Sequence, residues 1–235
     1  LPIRGGSGFF NESQRVQLQG KHNRRRRPEA GKVYVAGIDL AGEAEEAEGE
    51  FLRIAKPRKD STVMTIGELD FTVCDDVAKE PMVKVAEHYW WTGRKHTDLY
   101  PQLVDILKRV WGCRKILIDA TGVGEPVSSF LRQALGKKVI PFTFTQRSKS
   151  ELGFNLLAAV NSGRLKMYRG DSSGEYQEFW SEMERAKSQY RPNRTINFYV
   201  DPTQGHDDFL MSLALLAEAS KQYTPRGARG KARGA

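Results

Sequence analysis

Two almost wholly apolar runs stand out along this chain, KVYVAGIDL (32–40) and KILIDA (115–120). Each carries an aspartate near its end, Asp39 in the first and Asp119 in the second. Runs of this kind predict central strands that are buried on both faces. Three further segments predict extended structure, with a period of two at Val63/Thr65 and Val83/Val85; they are FLRIAKP, STVMTIGELDF and VKVAEHYWW.

Helical spacing of apolar residues appears after these strands and then alternates with shorter extended runs. The predicted helices lie near 97–110, between Pro126 and Gly136, from a Ser148–Glu151 capping box to about Asn161, over 174–188 and at 207–220. The predicted short strands are KVIPFTF, RLKMY and a strand or hairpin over 191–200. Strands that come first and then alternate with helices predict a three-layer α/β fold, with a central mixed sheet flanked by helices.

The last predicted helix opens with two adjacent carboxylates, in TQGHDDFLMSLALLAEAS (203–220). An aspartate in a first turn accepts backbone N–H groups and meets the positive end of the helix dipole, so capping alone accounts for one of them. Asp208, however, shares a helical stripe with Met211 and Leu215 and is therefore expected to point inwards. A buried carboxylate is costly without a positive partner.

A metal site supplies that partner. If the strands that end in Asp39 and Asp119 are parallel neighbours, both acids emerge at one edge of the sheet, where open α/β folds place their sites. Asp207 and Asp208 would complete a cluster of four carboxylates, which cannot all stay ionised without a counter-charge. Two Mg²⁺ or Mn²⁺ ions suit oxygen ligands and phosphodiester hydrolysis. His206 is placed to bond a water, a phosphate or a carboxylate.

The net charge of +8 is concentrated at the two ends of the chain. Residues 1–32 carry +6, including the run from Arg24 to Arg27, and residues 221–235 carry +5, which leaves −3 for residues 33–220. We therefore expect a basic flexible N-terminal extension (1–32), one domain (33–220) and a basic flexible tail (221–235). Such basic runs favour polyanions such as nucleic acid, or act simply as solvated linkers.

The composition excludes several classes of protein. No run approaches the roughly 18 apolar residues of a membrane span, and no secretory signal is present, so neither a membrane nor a secreted protein is expected. The two cysteines, Cys74 and Cys113, have no metal-binding spacing and suit a reducing compartment. The chain begins Leu-Pro without an initiator Met, and we expect it to be a piece of a longer protein.

Four motifs together resemble the nuclease domain of viral terminase large subunits, the genome-packaging motors of tailed bacteriophages. They are GIDLAGE, ILIDATGVGEP, SKSELGFNLLAAVNSGRLKMY and GHDDFLMSLALLA, in that order over about 33–220. The resemblance implies an RNase H/RuvC-like fold and metal-dependent cleavage of double-stranded DNA. By motif, it implies that Asp39, Asp119 and Asp208 are core metal ligands, that Asp207 binds a second metal, and that His206 supports them.

The resemblance also implies a further acid and several partners. Glu45 would be another second-metal residue, although Glu43 and Glu46 fit the motif equally well and a solvated loop is the plain alternative. The family's ATPase domain is absent, since no GxxxxGK[ST] occurs. That domain, the portal and the small terminase subunit are the implied partners, and the host cytoplasm is the implied location.

Three other functions use parts of the same pattern. In a sugar kinase or actin-like ATPase, DLAG and DATGVG would be phosphate-binding turns, and DNA-independent ATP hydrolysis would reveal it. A Holliday-junction resolvase or transposase would use the same acids on a different DNA substrate. A non-enzymatic DNA clamp would need the basic ends but not the acids.

Residues 33–220 carry a net negative charge, so we expect them to contact DNA through local basic patches. The candidates are Arg147 and Lys149 at the start of one helix, and Arg191 and Arg194 in YRPNRTINFYV. Pro-Asn and the alternation that follows it predict a hairpin there, close in sequence to His206. The family resemblance implies a hairpin in that place that adjusts access to the active site, whereas an ordinary solvated edge strand is the alternative.

Overall fold

The computed structural model describes residues 7–41, 61–72, 80–122 and 124–221. Its strands are β1 (Ser7–Gly8), β2 (Val33–Asp39), β3 (Ser61–Asp70), β4 (Met82–Thr92), β5 (Lys115–Asp119), β6 (Val139–Phe142), β7 (Leu165–Lys166), β8 (Lys187–Tyr190) and β9 (Ile196–Tyr199). Its helices are α1 (Glu12–Leu18), α2 (His96–Asp105, continued by a π turn over Ile106–Val110), α3 (Gly124–Leu135), α4 (Gln146–Asn161), α5 (Gly174–Arg185) and α6 (Asp208–Ser220). The predicted strand FLRIAKP lies outside the described residues.

Six strands form the central sheet, in the order β6-β5-β2-β3-β4-β7. The β2–β5, β5–β6 and β4–β7 pairs are parallel, whereas β2–β3 and β3–β4 are antiparallel. Alternate residues of β2 enter different cores: Val35 packs with residues of α4, α5 and α6, and Ala36 packs with residues of α2 and α3. The sheet is therefore the middle of three layers, and the predicted mixed α/β fold is confirmed.

Helix α6 lies directly on the centre of this sheet, where it contacts β2, β3 and β5. It is apolar on almost every side, which is typical of a fully buried helix. Gly37 of β2 makes the close approach necessary: a Cβ atom there would lie 2.2 Å from the carbonyl oxygen of Ser212 and 2.3 Å from the amide nitrogen of Leu216. The missing side chain of Gly37 thus sets the distance between α6 and β2.

Strands β1, β8 and β9 form a second, three-stranded sheet in the order β1-β8-β9. The antiparallel pair β8–β9 is the hairpin predicted over 191–200, with its turn at residues 191–195. Ser150 of α4 accepts the amide N–H of Ile196 at 3.0 Å, which ties the hairpin to that helix. The N-cap of α4 is Thr145, paired with Ser148 in a capping box, so the predicted Ser148–Glu151 capping box is wrong.

Residues 7–32 pack on the domain, unlike the flexible extension expected over 1–32. Phe9 and Phe10 are buried, and the Phe9 ring stacks on Phe198 with centroids 4.8 Å apart. The run of arginines is partly internal: Arg24 contacts Glu87 at 2.5 Å with only 11% of its side chain exposed. The sequence does contain a local signal for an ordered segment, namely the apolar pair Phe9–Phe10 followed by a capping box of Asn11 and Gln14. The net charge of residues 1–32 does not reveal it.

The described helices include none that is long and apolar enough to cross a membrane. The predicted tail beyond residue 221 lies outside the described residues, so the boundary at 221 stays a prediction.

Candidate metal centre

The aspartates that end β2 and β5 lie side by side, as predicted. The two strands are parallel neighbours, with Ile38 opposite Ile118, so Asp39 and Asp119 follow at the same end of the sheet. The chain then turns away sharply, with Gly122 at a φ of 58°. A Cβ atom on Gly124 would lie 2.5 Å from the carbonyl oxygen of Asp119, so the start of α3 depends on a residue without a side chain.

Helix α6 brings the second pair of carboxylates to this end of the sheet. Asp208 is its first residue, and its Oδ2 accepts the amide N–H of Ser61 at 3.2 Å, where β3 begins beside β2. Asp207 is the N-cap residue, yet its side chain makes no capping hydrogen bond. The capping explanation for this acid therefore fails in the structure.

Burial and like charges act together on Asp39. Its pKa is raised well above the usual value, first by burial and then by the nearby Asp208, Asp119 and Asp207. The pKa of Asp207 is also raised by burial, and Lys149 opposes this increase. The structure thus brings the four predicted aspartates into one electrostatic cluster.

Asp119 is half-buried, and its charge is partly compensated by its neighbours. Its Oδ1 accepts the amide N–H of Thr121 at 2.8 Å. Burial raises the pKa of Asp119, whereas the hydrogen bonds from Thr121 and the charge of Lys149 lower it. Lys149 itself sits over the ring of Phe198, with its Nζ 5.5 Å from the ring centroid. Lys149, predicted as a DNA contact, therefore acts electrostatically on the acidic cluster.

Glu182 of α5 is an acidic neighbour that the sequence reasoning missed. It is 1% exposed, and its Oε2 accepts the amide N–H of Leu210 at 2.9 Å in the first turn of α6. Burial raises its pKa well above the usual value, and Asp208 and Asp207 raise it further. A signal existed, because Glu182 shares the buried face of α5 with Phe179 and Met183, as Asp208 shares that of α6.

His206 lies beside Asp208 in a cleft of about 270 Å³. The other lining residues are Ser61, Trp90, Thr92, Glu178 and Glu182. The cleft thus opens directly next to the acidic cluster. Glu45, and with it Glu43 and Glu46, lies outside the described residues.

The donor chemistry of the cluster fits a hard divalent cation. Carboxylate oxygens are the ligands that Mg²⁺ prefers, and a dication would offset the repulsion that raises the pKa of Asp39. Within the described part of the chain, no three His, Cys, Asp or Glu side chains already converge as a finished ligand group. The assignment of ligands therefore rests on donor chemistry and mutual electrostatics.

The remaining predicted DNA contacts lie around the start of α4. Arg147 is exposed and bonds Glu151 one turn along the helix, Nε to Oε1 at 2.9 Å. Arg191 and Arg194 are exposed in the turn between β8 and β9, where Arg194 has a φ of 62°. Gln146 at the start of α4 donates to Thr195 of that turn at 3.2 Å. The helix start and the hairpin turn are thus adjacent.

The sequence matches no family model and no curated protein. Solved structures do match. The large terminase nuclease of thermophilic phage G20c has a TM-score of 0.64 at 18% identity, over 94% of this chain and 100% of that one. The large terminase nuclease domain of Thermus phage P74-26 has a TM-score of 0.61 at 18% identity, over 94% and 97%. This chain has the large-terminase nuclease fold.

The same fold recurs in longer and more distant proteins. The HK97 large terminase matches with a TM-score of 0.60 at 12% identity, over 92% of this chain and 44% of that one. Several large-terminase nuclease domains have been solved with metal, G20c with magnesium and with cobalt, and Sf6 with manganese. The fold expected from the four motifs is confirmed.

Proposed function

We propose that this protein is a metal-dependent endonuclease that hydrolyses phosphodiester bonds of double-stranded DNA. Its role would be that of the nuclease domain of a terminase large subunit in viral genome packaging. The observation that carries the proposal is the cluster of Asp119, Asp207 and Asp208 around the buried Asp39. Like charges crowded in this way destabilise a metal-free protein, and a hard dication removes the penalty.

The proposed ligands follow from position and donor type. Asp39, Asp119 and Asp208 would hold Mg²⁺ or Mn²⁺ in common, Asp207 would contribute to a second ion, and Glu45 stays a candidate from the family resemblance. Bound there, the metal would supply an activated water and neutralise the leaving oxygen.

The surrounding residues prepare the carboxylates for this task. The N–H groups of Thr121 and Ser61 orient one oxygen each of Asp119 and Asp208, so these side chains need little reorganisation. A metal ligand must be a carboxylate, so cation binding would oppose the burial and like charges that raise the pKa of Asp39. His206, beside Asp208, is placed to hydrogen-bond a water or a phosphate oxygen.

DNA would approach over the start of α4 and the turn of the β8–β9 hairpin. Arg147, Arg191 and Arg194 would meet phosphates there, with Lys149 between them and the acids. By family resemblance, the further partners would be the terminase ATPase domain, the portal and the small terminase subunit, in the host cytoplasm.

Plasmid DNA incubated with the protein in EDTA, Mg²⁺ or Mn²⁺ tests the proposal. We expect nicking or linearisation only with metal. Asp39→Ala, Asp119→Ala and Asp208→Ala should each abolish cleavage and leave the fold intact, whereas Asp105→Ala, a carboxylate on the surface of α2, should cut like wild type. If one of these three variants cuts DNA at nearly the wild-type rate, the residue that it replaces is not a core ligand.

The salt dependence of DNA binding tests the proposed DNA path. Each phosphate that a protein neutralises contributes about 0.9 to the slope of log K against log salt concentration. Arg191→Ala plus Arg194→Ala should reduce that slope by about 1 to 2 and weaken binding to all sequences alike. Lys108→Ala plus Arg109→Ala on α2 is the matched control. An unchanged slope in the hairpin variant would remove the hairpin from the DNA path.

A further inference from the structure

The cleft next to the acidic cluster has an aromatic wall that metal binding does not require. Trp90 lines it together with His206 and Asp208, and 40% of Trp90 is exposed. A tryptophan is among the largest apolar side chains, and leaving so much of one in water costs burial energy that the core would otherwise gain. An exposed indole ring in this position can contact a ligand that has a flat apolar surface.

The Trp90 ring packs against the core on one side and is open to solvent on the other. His88, two residues earlier on β4, is buried against Phe209, and the Trp90 ring packs at 69° to that same phenyl ring with centroids 5.5 Å apart. Further along, Thr92 bonds Ser61 across the two strands, Oγ1 to Oγ at 2.7 Å. Trp90 therefore lies at the edge of the core, where Phe209 packs against one part of its ring.

The polar groups of the cleft include several hydrogen-bond acceptors. Glu178, Glu182 and Asp208 supply carboxylates, and among the described residues that line the cleft none is Lys or Arg. Arg185 approaches Glu178 only to 3.7 Å. A neutral planar ring with N–H donors fits both the aromatic wall and the acceptors.

We propose that this cleft binds one unstacked nucleobase of the DNA beside the bond to be cut, with Trp90 as the stacking surface. The inference rests on the proposed nuclease function, which brings the DNA to Asp208. Bases inside a duplex are stacked on their neighbours and must leave the stack to reach a side chain. Trp90 thus acts as a positioning residue that favours single-stranded, frayed or mismatched DNA over a perfect duplex.

Binding of oligonucleotides tests this directly, and it requires no cleavage. Ca²⁺ replaces Mg²⁺ because it takes the same oxygen ligands with looser geometry. The dissociation constant is measured by fluorescence anisotropy for a single strand and for the duplex of the same sequence, with wild type, Trp90→Ala and Trp90→Phe. Phe130→Ala is the control, since Phe130 is 38% exposed on α3, in the opposite helix layer, and stacks on Tyr100.

The expected result is a selective loss. Trp90→Ala should bind the single strand about tenfold more weakly and the duplex as tightly as wild type, because one base–aromatic stack is lost. Trp90→Phe, which keeps a ring against Phe209, should lose less than Trp90→Ala, and Phe130→Ala should lose nothing. A single strand carrying 2-aminopurine should be quenched by wild type and less so by Trp90→Ala.

Two outcomes would overturn the inference. One is equal binding of the single strand by wild type and both Trp90 variants. The other is an equal loss on single strand and duplex by a Trp90→Phe variant that melts at the wild-type temperature. Failure of the nuclease itself is distinguishable, since wild type would then leave plasmid DNA uncut in Mg²⁺ and Mn²⁺ whatever Trp90 does.

Discussion

Substitution of Gly37 by alanine should damage the metal centre from a distance, through the position of α6. The new Cβ atom would lie 2.2 Å from the carbonyl oxygen of Ser212 and 2.3 Å from the amide nitrogen of Leu216. Both are backbone atoms, so no side-chain rotation relieves the clash. Heavy atoms need about 3.5 Å for a normal contact, and α6 must therefore move about 1 Å away from β2.

The displacement has two consequences of different size. Overpacking of this kind costs about 1–3 kcal/mol of stability, and in a domain of this size the melting temperature falls by about 2–4 °C for each kcal/mol. Asp208 moves with α6, whereas Asp39 stays on β2. A misplacement of about 1 Å in a catalytic constellation costs about 100-fold in rate. We therefore expect Gly37→Ala to be folded but nearly inactive.

Gly67→Ala on the neighbouring β3 is the matched control. A Cβ atom there would lie 2.9–3.0 Å from side-chain methyl groups of Leu216 and Val83, which can shift at lower cost than the backbone atoms that face Gly37. Melting temperature, Mn²⁺ binding by calorimetry and plasmid cleavage should be compared for wild type and both variants. If Gly37→Ala remains folded and binds Mn²⁺ and cuts DNA as well as Gly67→Ala does, the spacing of α6 and β2 does not control the site.

Three further predictions concern charge. Because the pKa of Asp39 is higher in the folded than in the unfolded chain, metal-free wild type should lose stability relative to Asp39→Asn as the pH rises above about 4, the usual pKa of an aspartate; chemical unfolding at several pH values would contradict this if the difference stayed constant. Asp207→Ala should keep more cleavage in Mn²⁺ than in Mg²⁺, which demands stricter geometry, and equal loss in both metals would place Asp207 in the core set. Arg24→Ala should lower the free energy of unfolding by about 3 kcal/mol, because Glu87 is left buried without its ion-pair partner. Substitution of the exposed Arg27 by alanine should leave stability unchanged. Equal melting temperatures for the two variants would refute the internal role of Arg24.

The parts of the fold that could be predicted are those whose signals are local. An apolar run that ends in Asp39 and another that contains Asp119 identify two central strands, and their shared edge follows from parallel pairing. Helix α6 is predicted by the apolar residues at helical spacing that follow directly after Asp207 and Asp208. The hairpin turn likewise follows from Pro192 and Asn193 in the sequence.

The N-terminal segment could not be predicted in the same way, because its partners are distant in sequence. Arg24 contacts Glu87, 63 positions later, and Asp171 and Glu175, 147 and 151 positions later. A run of four arginines has the composition of a solvated tail, and only these partners make one of them internal. Net charge by segment says nothing about pairing across the fold, so the flexible extension was the wrong expectation for residues 7–32.

The missed Glu182 shows a different limit. Its spacing relative to Phe179 and Met183 is as informative as that of Asp208 relative to Met211, yet α5 carries many other charged residues that obscure the pattern. Its role also depends on where α5 lies, since Glu182 caps the first turn of α6 only after the two helices have packed. A carboxylate on an apolar helical stripe is thus a useful signal even when no motif surrounds it.

The helix that supplies two members of the acidic cluster also supplies much of the core. Phe209, Leu210, Leu213, Leu215 and Leu216 are fully buried, and each contributes about 1.5–3 kcal/mol relative to exposure. Together they contribute on the order of 10 kcal/mol, whereas one pKa unit of repulsion costs about 1.4 kcal/mol. A helix buried on all sides can carry carboxylates only at its ends, and Gly37 fixes where the N-terminal end of α6 meets β2. The packing of α6 therefore determines both the stability of the domain and the position of its acids.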